Sequence, residues 1–143
     1  MAYVARSPSP SNEHHRMAAP MAGALRGRRL LIVEDEYILA MDLSNSLEDQ
    51  GAEVIGPAGA VEGALALLGS TDRLDGAVLD INLGGTMVYP VVDALRERGV
   101  PCVFVTGYSR WVGPEAYADI PRLEKPVELR TLARALCAVW REA

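Results

Sequence analysis

Residues 28–36 read RRLLIVEDE. Two arginines are followed by four consecutive large aliphatic residues, Leu30 to Val33, and then three acids, Glu34, Asp35 and Glu36. An apolar run of four with no polar alternation suits a strand buried on both faces of a parallel sheet, and it is too short for a helix. The abrupt acidic stop places three carboxylates at the carboxyl end of that strand.

Working outward, the same grammar recurs. YILAMDLSNSLEDQG (37–51) carries apolar residues at Ile38, Leu39, Met41, Leu43 and Leu47, the spacing of one helical face, and ends at Gly51. AEVIGPA is a short strand cut by Gly56-Pro57, and AVEGALALLGS is an Ala/Leu-rich helix. DGAVLDINL is a second buried strand followed by Gly84-Gly85. VYPVVDALRERG is a helix with Pro90 in its first turn, where proline is tolerated. VPCVFVTGY is a strand, IPRLEKP a short strand, and VELRTLARALCAVWREA a final helix. Strand and helix alternate five times, with only a Gly/Pro-broken stretch from Gly107 to Asp119 in the fourth helical place. This pattern predicts an α/β fold: a doubly wound, five-stranded parallel sheet of order 2-1-3-4-5, helices on both faces, and a ligand crevice at the carboxyl ends of strands 1 and 3. The folded domain is expected over residues 27–143. Residues 1–26, rich in Ser, Pro, Ala and Arg, read as a disordered extension in which His14 and His15 are simply solvated.

Composition narrows the function. The 143-residue chain has a net charge of −5, which disfavours generic binding to nucleic acid or anionic membranes. No apolar stretch approaches a membrane span and no compact apolar segment suggests a signal peptide, so a cytoplasmic location is expected. Cys102 and Cys137 sit in apolar runs without CxxC spacing and read as reduced, buried hydrophobes.

The strand ends carry the chemistry. Glu34 and Asp35 follow strand 1, Asp80 ends strand 3 with Asn82 two positions on, Thr106 ends strand 4, and Lys125-Pro126 follows strand 5. In a parallel sheet these ends share one edge. Carboxylates crowded there repel one another, and a hard divalent cation relieves the repulsion. Mg²⁺ prefers carboxylate and carbonyl oxygens. Asp35 and Asp80 are the expected direct ligands, with the Asn82 backbone carbonyl as a third and Glu34 acting through water. Asp80 is then a positioned nucleophile able to form an aspartyl phosphate. Thr106 and Lys125 are placed to stabilise charge on the transferred group. All of the chain's 14 basic residues except Lys125 are arginine, which marks Lys125 as a position where a compact point charge is wanted.

With those residues in view, the chain resembles response-regulator receiver domains of the flavodoxin-like, CheY-like kind. LLIVEDE, VLDINL, VFVTGY and LEKP match that family's four motifs in order, and the resemblance spans about residues 28 to 141. It implies Mg²⁺ binding by Glu34 and Asp35, phosphorylation of Asp80 from a phosphohistidine, a switch role for Thr106 and a phosphate-facing role for Lys125. Such a domain is not a classical enzyme, although it catalyses its own phosphorylation and slow dephosphorylation. VPCVFVTGYS and PRLEKP further resemble the single-domain "FAT GUY" subgroup, with Val105 departing from its Ala. That likeness implies a sensor histidine kinase, of HWE type in many such systems, or a histidine phosphotransfer protein as donor. With no output domain expected after residue 143, the chain would be a stand-alone regulator acting through a downstream protein partner or as a phosphate sink. Arg122 stands where receivers usually carry the switch Tyr or Phe. That departure argues against an aromatic flip and for ordering of segment 107–119, with Trp111 and Tyr117 either anchoring a partner or covering the sheet. Two other readings fit parts of the pattern. A pseudo-receiver docking module would keep the fold without phosphorylation. A phosphatase of haloacid dehalogenase type would need an Asp at the position of Asn82.

Overall fold

A computed structural model describes residues 23–107 and 110–142 of the chain. The elements run β1 (Arg29–Val33), α1 (Tyr37–Asp49), β2 (Glu53–Ala58), α2 (Val61–Gly69), β3 (Gly76–Asp80), β4 (Asn82–Leu83), β5 (Thr86–Met87), α3 (Tyr89–Glu97), β6 (Cys102–Thr106), a 3₁₀ turn (Glu115–Tyr117), β7 (Arg122–Glu124) and α4 (Leu129–Glu142). Five strands form a parallel sheet in the order β2-β1-β3-β6-β7, the doubly wound order expected. β4 and β5 form a separate two-residue antiparallel ladder closed by Gly84 and Gly85, both at positive φ as a tight hairpin turn requires.

Successive strand residues point to opposite faces, and the chain fills both. Leu31, Val33, Leu79 and Phe104 pack with α2 and α3, while Leu30, Ile32, Val78, Val103 and Val105 pack with α1 and α4. In α4, Leu132, Ala133, Leu136 and Val139 form the buried stripe. Cys102 is buried, and burial pushes its thiol up to about 12, so it stays protonated; Cys137 is half-buried. Among the described residues no helix is long and apolar enough to cross a membrane.

Among the described residues the fourth crossover holds only the 3₁₀ turn, as its Gly/Pro-broken sequence led one to expect, because Gly113 and Pro114 interrupt it and its apolar residues have no helical spacing. Three details depart from the sequence expectations. In α1 the buried side chains are Ala40, Ser44 and Leu47, whereas Ile38 and Leu39 face outward with Tyr37. β2 is continuous through Gly56-Pro57, with Gly56 at positive φ and an irregular register against β1. Packing also begins before residue 27: Leu25 is 1% exposed and lies among Leu30, Leu47 and the α4 stripe. Residues 1–22 of the expected N-terminal extension, with His14 and His15, lie outside the described residues, as do Tyr108 and Ser109 of segment 107–119.

Candidate phosphoacceptor site

The sheet edge gathers the strand-end residues as the topology requires. Glu34 directly follows β1, Asp80 ends β3, Thr106 ends β6 and Lys125 directly follows β7. Strand ends are rigid mounts: β3 and β6 are buried along their whole length. Glu34, Asp80 and Thr106 are themselves buried polar residues, while Asp35 is exposed at the mouth. Each of Glu34, Asp35 and Asp80 offers one carboxylate oxygen, and the three oxygens lie within 4.8 Å of one another. Asp35, Glu36, Asp80, Asn82, Thr106 and Lys125 line a cavity of about 380 Å³ that opens to solvent.

Lys125 holds this cluster together. Its Nζ lies 3.0 Å from Asp80 Oδ2, 3.0 Å from Glu34 Oε1 and 3.3 Å from Glu36 Oε1. An ammonium has three donors, so each has one carboxylate. The lysine backbone is fixed as well, its N–H donating to the Thr106 carbonyl at 2.8 Å, and the Lys125–Pro126 peptide bond is cis.

Crowding and burial set the charge states. Burial pushes the Glu34 carboxyl up to about 7. Asp80 acts in the same direction, while the Glu36 N–H and the Lys125 ammonium act against it. For Lys125, burial alone would lower the pKa. Its hydrogen bonds and ion pairs with Asp80 and Glu34 outweigh that and hold it well above the ordinary lysine value. One cation facing three carboxylates leaves excess negative charge in an oxygen-only donor set. That chemistry fits a hard divalent cation and gives a soft metal nothing to bind.

Asn82 lies beside this cluster with its side chain committed elsewhere. Its Oδ1 accepts the Gly85 N–H at 2.6 Å, closing the β4–β5 hairpin, and its own N–H points at Asp80 Oδ1 at 3.3 Å. The hairpin tip leans over the acids, with Gly84 against Asp35 Oδ2. Glu36 had no role in the sequence analysis beyond ending an acidic triplet. Its bond to Lys125 joins positions 89 residues apart, and only the β1–β3–β6–β7 arrangement brings them together.

On the far side of Thr106, the helix-less crossover carries an aromatic seat. Trp111 stacks on Phe104 with ring centres 6.0 Å apart, and the Arg122 guanidinium lies 5.2 Å from the Trp111 ring. Arg122, where the resemblance led one to expect a switch aromatic, thus lies over a loop-borne tryptophan. Tyr117 stacks on Tyr89 at 4.4 Å and donates its hydroxyl hydrogen to Asp93. Arg96 reaches the Ala116 carbonyl and the Asp119 carboxylate. Trp111 therefore packs on the sheet through Phe104, and Tyr117 and Arg96 tie the described part of the crossover to α3.

Comparison with known proteins agrees with this geometry. No family model matches the chain. The solution structure of SdrG from Sphingomonas melonis Fr1 superposes with a TM-score of 0.69 at 39% identity, covering 80% of this chain and 97% of that one. A CheY-like response-regulator receiver domain from Methylobacillus flagellatus gives a TM-score of 0.67 at 29% identity, with 79% and 98% covered. Among curated proteins, the phyllosphere-induced regulator PhyR of Methylorubrum extorquens is 35% identical over 94 residues, which is 64% of this chain but 33% of that protein. The chain thus matches about a third of PhyR's length. The parallel order β2-β1-β3-β6-β7, the acids at one sheet edge and a relative matched over nearly its whole length together place this chain in the CheY-like response-regulator receiver family of two-component signalling.

Proposed function

We propose that the chain is a phosphorylation-controlled receiver whose phosphoacceptor is Asp80. The observation that carries this is the position of the Asp80 carboxylate at the buried end of β3, 3.0 Å from the only lysine of the chain and within ligand distance of Glu34 and Asp35. A donor phosphohistidine approaches through the open mouth. One Asp80 oxygen attacks phosphorus, the phosphorus–nitrogen bond breaks, and its electron pair stays on the imidazole. Lys125 donates to the phosphoryl oxygens and Thr106 turns its hydroxyl toward them. Glu34, Asp35, Asp80 and the Asn82 backbone carbonyl would hold Mg²⁺, Glu34 through water; bound there, the ion supplies positive charge against the transferred group. The donor is a sensor histidine kinase, of HWE type by resemblance, or a histidine phosphotransfer protein. Output passes to a protein partner or ends in a phosphate sink, and the setting is the cytoplasm.

The test is incubation of the chain with acetyl phosphate and Mg²⁺ followed by intact-mass measurement. One phosphoryl group is expected, lost with Asp80→Asn and with EDTA. Equal labelling of Asp80→Asn would overturn the assignment of the phosphoacceptor. No labelling of the wild-type chain by acetyl phosphate or phosphoramidate would identify a docking module that works without phosphorylation.

A further inference from the structure

The Lys125 ammonium has no donor left for a phosphoryl oxygen. Its three carboxylate partners are unequal. Glu34 and Asp80 are nearly buried, with side chains 3% and 9% exposed, and each sits at 3.0 Å. Glu36 is 61% exposed and sits at 3.3 Å. A phosphoryl oxygen arriving at Asp80 must therefore take one N–H from a carboxylate, and Glu36 is the partner that can leave into water at least cost. Its backbone N–H is held separately, donating to Glu34 Oε2 at 3.1 Å. Glu36 also lines the open cavity with Asp80 and Lys125, so a group bound at Asp80 meets its charge.

We infer that Glu36 is a positioning and specificity-determining residue: its carboxylate is a placeholder for the phosphoryl group on Lys125 and disfavours small dianionic donors. This rests on the assignment of Asp80 as phosphoacceptor. A small donor must displace the placeholder and approach its charge with no other binding energy. A protein donor has docking contacts to offset both. With acetyl phosphate, an Asp80 oxygen bonds to phosphorus, the phosphorus–oxygen bond to the acetyl group breaks, and acetate leaves with the electron pair.

The test compares wild type with Glu36→Gln in the full chain, using two small donors and excess Mg²⁺. Screened interaction with one carboxylate a few ångströms away predicts a rate gain of about tenfold for acetyl phosphate, a dianion. For phosphoramidate, a monoanion, the gain is about threefold. Both gains shrink as ionic strength rises. Mg²⁺ affinity, followed by titration calorimetry, is expected to fall by less than about fivefold, as suits a screened neighbour and not a ligand. A slower Glu36→Gln, equal gains for the two donors, or a larger loss of Mg²⁺ affinity would overturn the inference while leaving Asp80 as phosphoacceptor. A wild-type chain labelled by neither donor would overturn both.

Discussion

The two sides of Thr106 solve opposite problems. On one side, the ends of β1 and β3 hold carboxylates together around the lysine that follows β7; on the other, a crossover with only a 3₁₀ turn among its described residues is held down by aromatic rings. The acidic pocket is fixed by strand ends and costs electrostatic energy. The crossover has little regular structure of its own and depends on Trp111, Tyr117 and the cations Arg96 and Arg122. Strain in the first is relieved by charge; strength in the second comes from packing. Changes that remove charge and changes that remove packing should therefore act on different sides, with different dependence on pH and metal.

The largest expected effect comes from Lys125→Met. It strips the ammonium from two nearly buried acids and should destabilise the metal-free protein by about 3 kcal/mol at pH 8 in urea denaturation. The loss should shrink toward pH 5, where the raised Glu34 carboxyl is protonated, and Mg²⁺ should recover part of it. A loss independent of pH would mean that Lys125 acts by packing.

Next is Gly113→Ala. A Cβ there would meet the Tyr89 hydroxyl and two Trp111 ring carbons at 2.7 and 2.8 Å. Either the ring leaves its seat on Phe104 or the loop moves, at a cost of about 2 kcal/mol. Tryptophan fluorescence should change with it. Mg²⁺ affinity should not, and a large change would show that the two sides are coupled through Thr106.

A smaller effect is the pH slope of the metal-free chain. Glu34 titrates near 7 in the fold against an ordinary value of 4.5. Between those values the unfolded chain loses its proton first, so the native state binds more protons and stability falls as pH rises from about 4.5 to 7. Above 7 this contribution is flat. About 1 kcal/mol is expected after allowing for solvent at the site, and Glu34→Gln should remove the slope.

The smallest is Tyr117→Phe, which removes only the hydroxyl bond to Asp93. It should raise amide exchange locally over 115–120 and barely change the melting temperature. A global loss of stability would mean that the crossover is part of the cooperative core.

What the sequence by itself determined is whatever depends on runs and strand ends. The apolar blocks Leu30–Val33 and Ala77–Leu79 and the βα alternation specify the parallel sheet. The residues that stop each strand, Glu34, Asp80, Thr106 and Lys125, specify one populated edge, since parallel strands share a carboxyl side. Tertiary structure decided whatever depends on pairs distant along the chain. Ile38 and Leu39 have helical spacing but face outward, because the buried side of α1 is set by its contact with β2 and α4 through Leu43 and Leu47. Glu36 gained a role only when β7 brought Lys125 beside it. Trp111 found its seat only because the fold put Phe104 within stacking distance. Periodicity records which residues are apolar. Which neighbour they meet is fixed by the order and register of strands far apart in sequence.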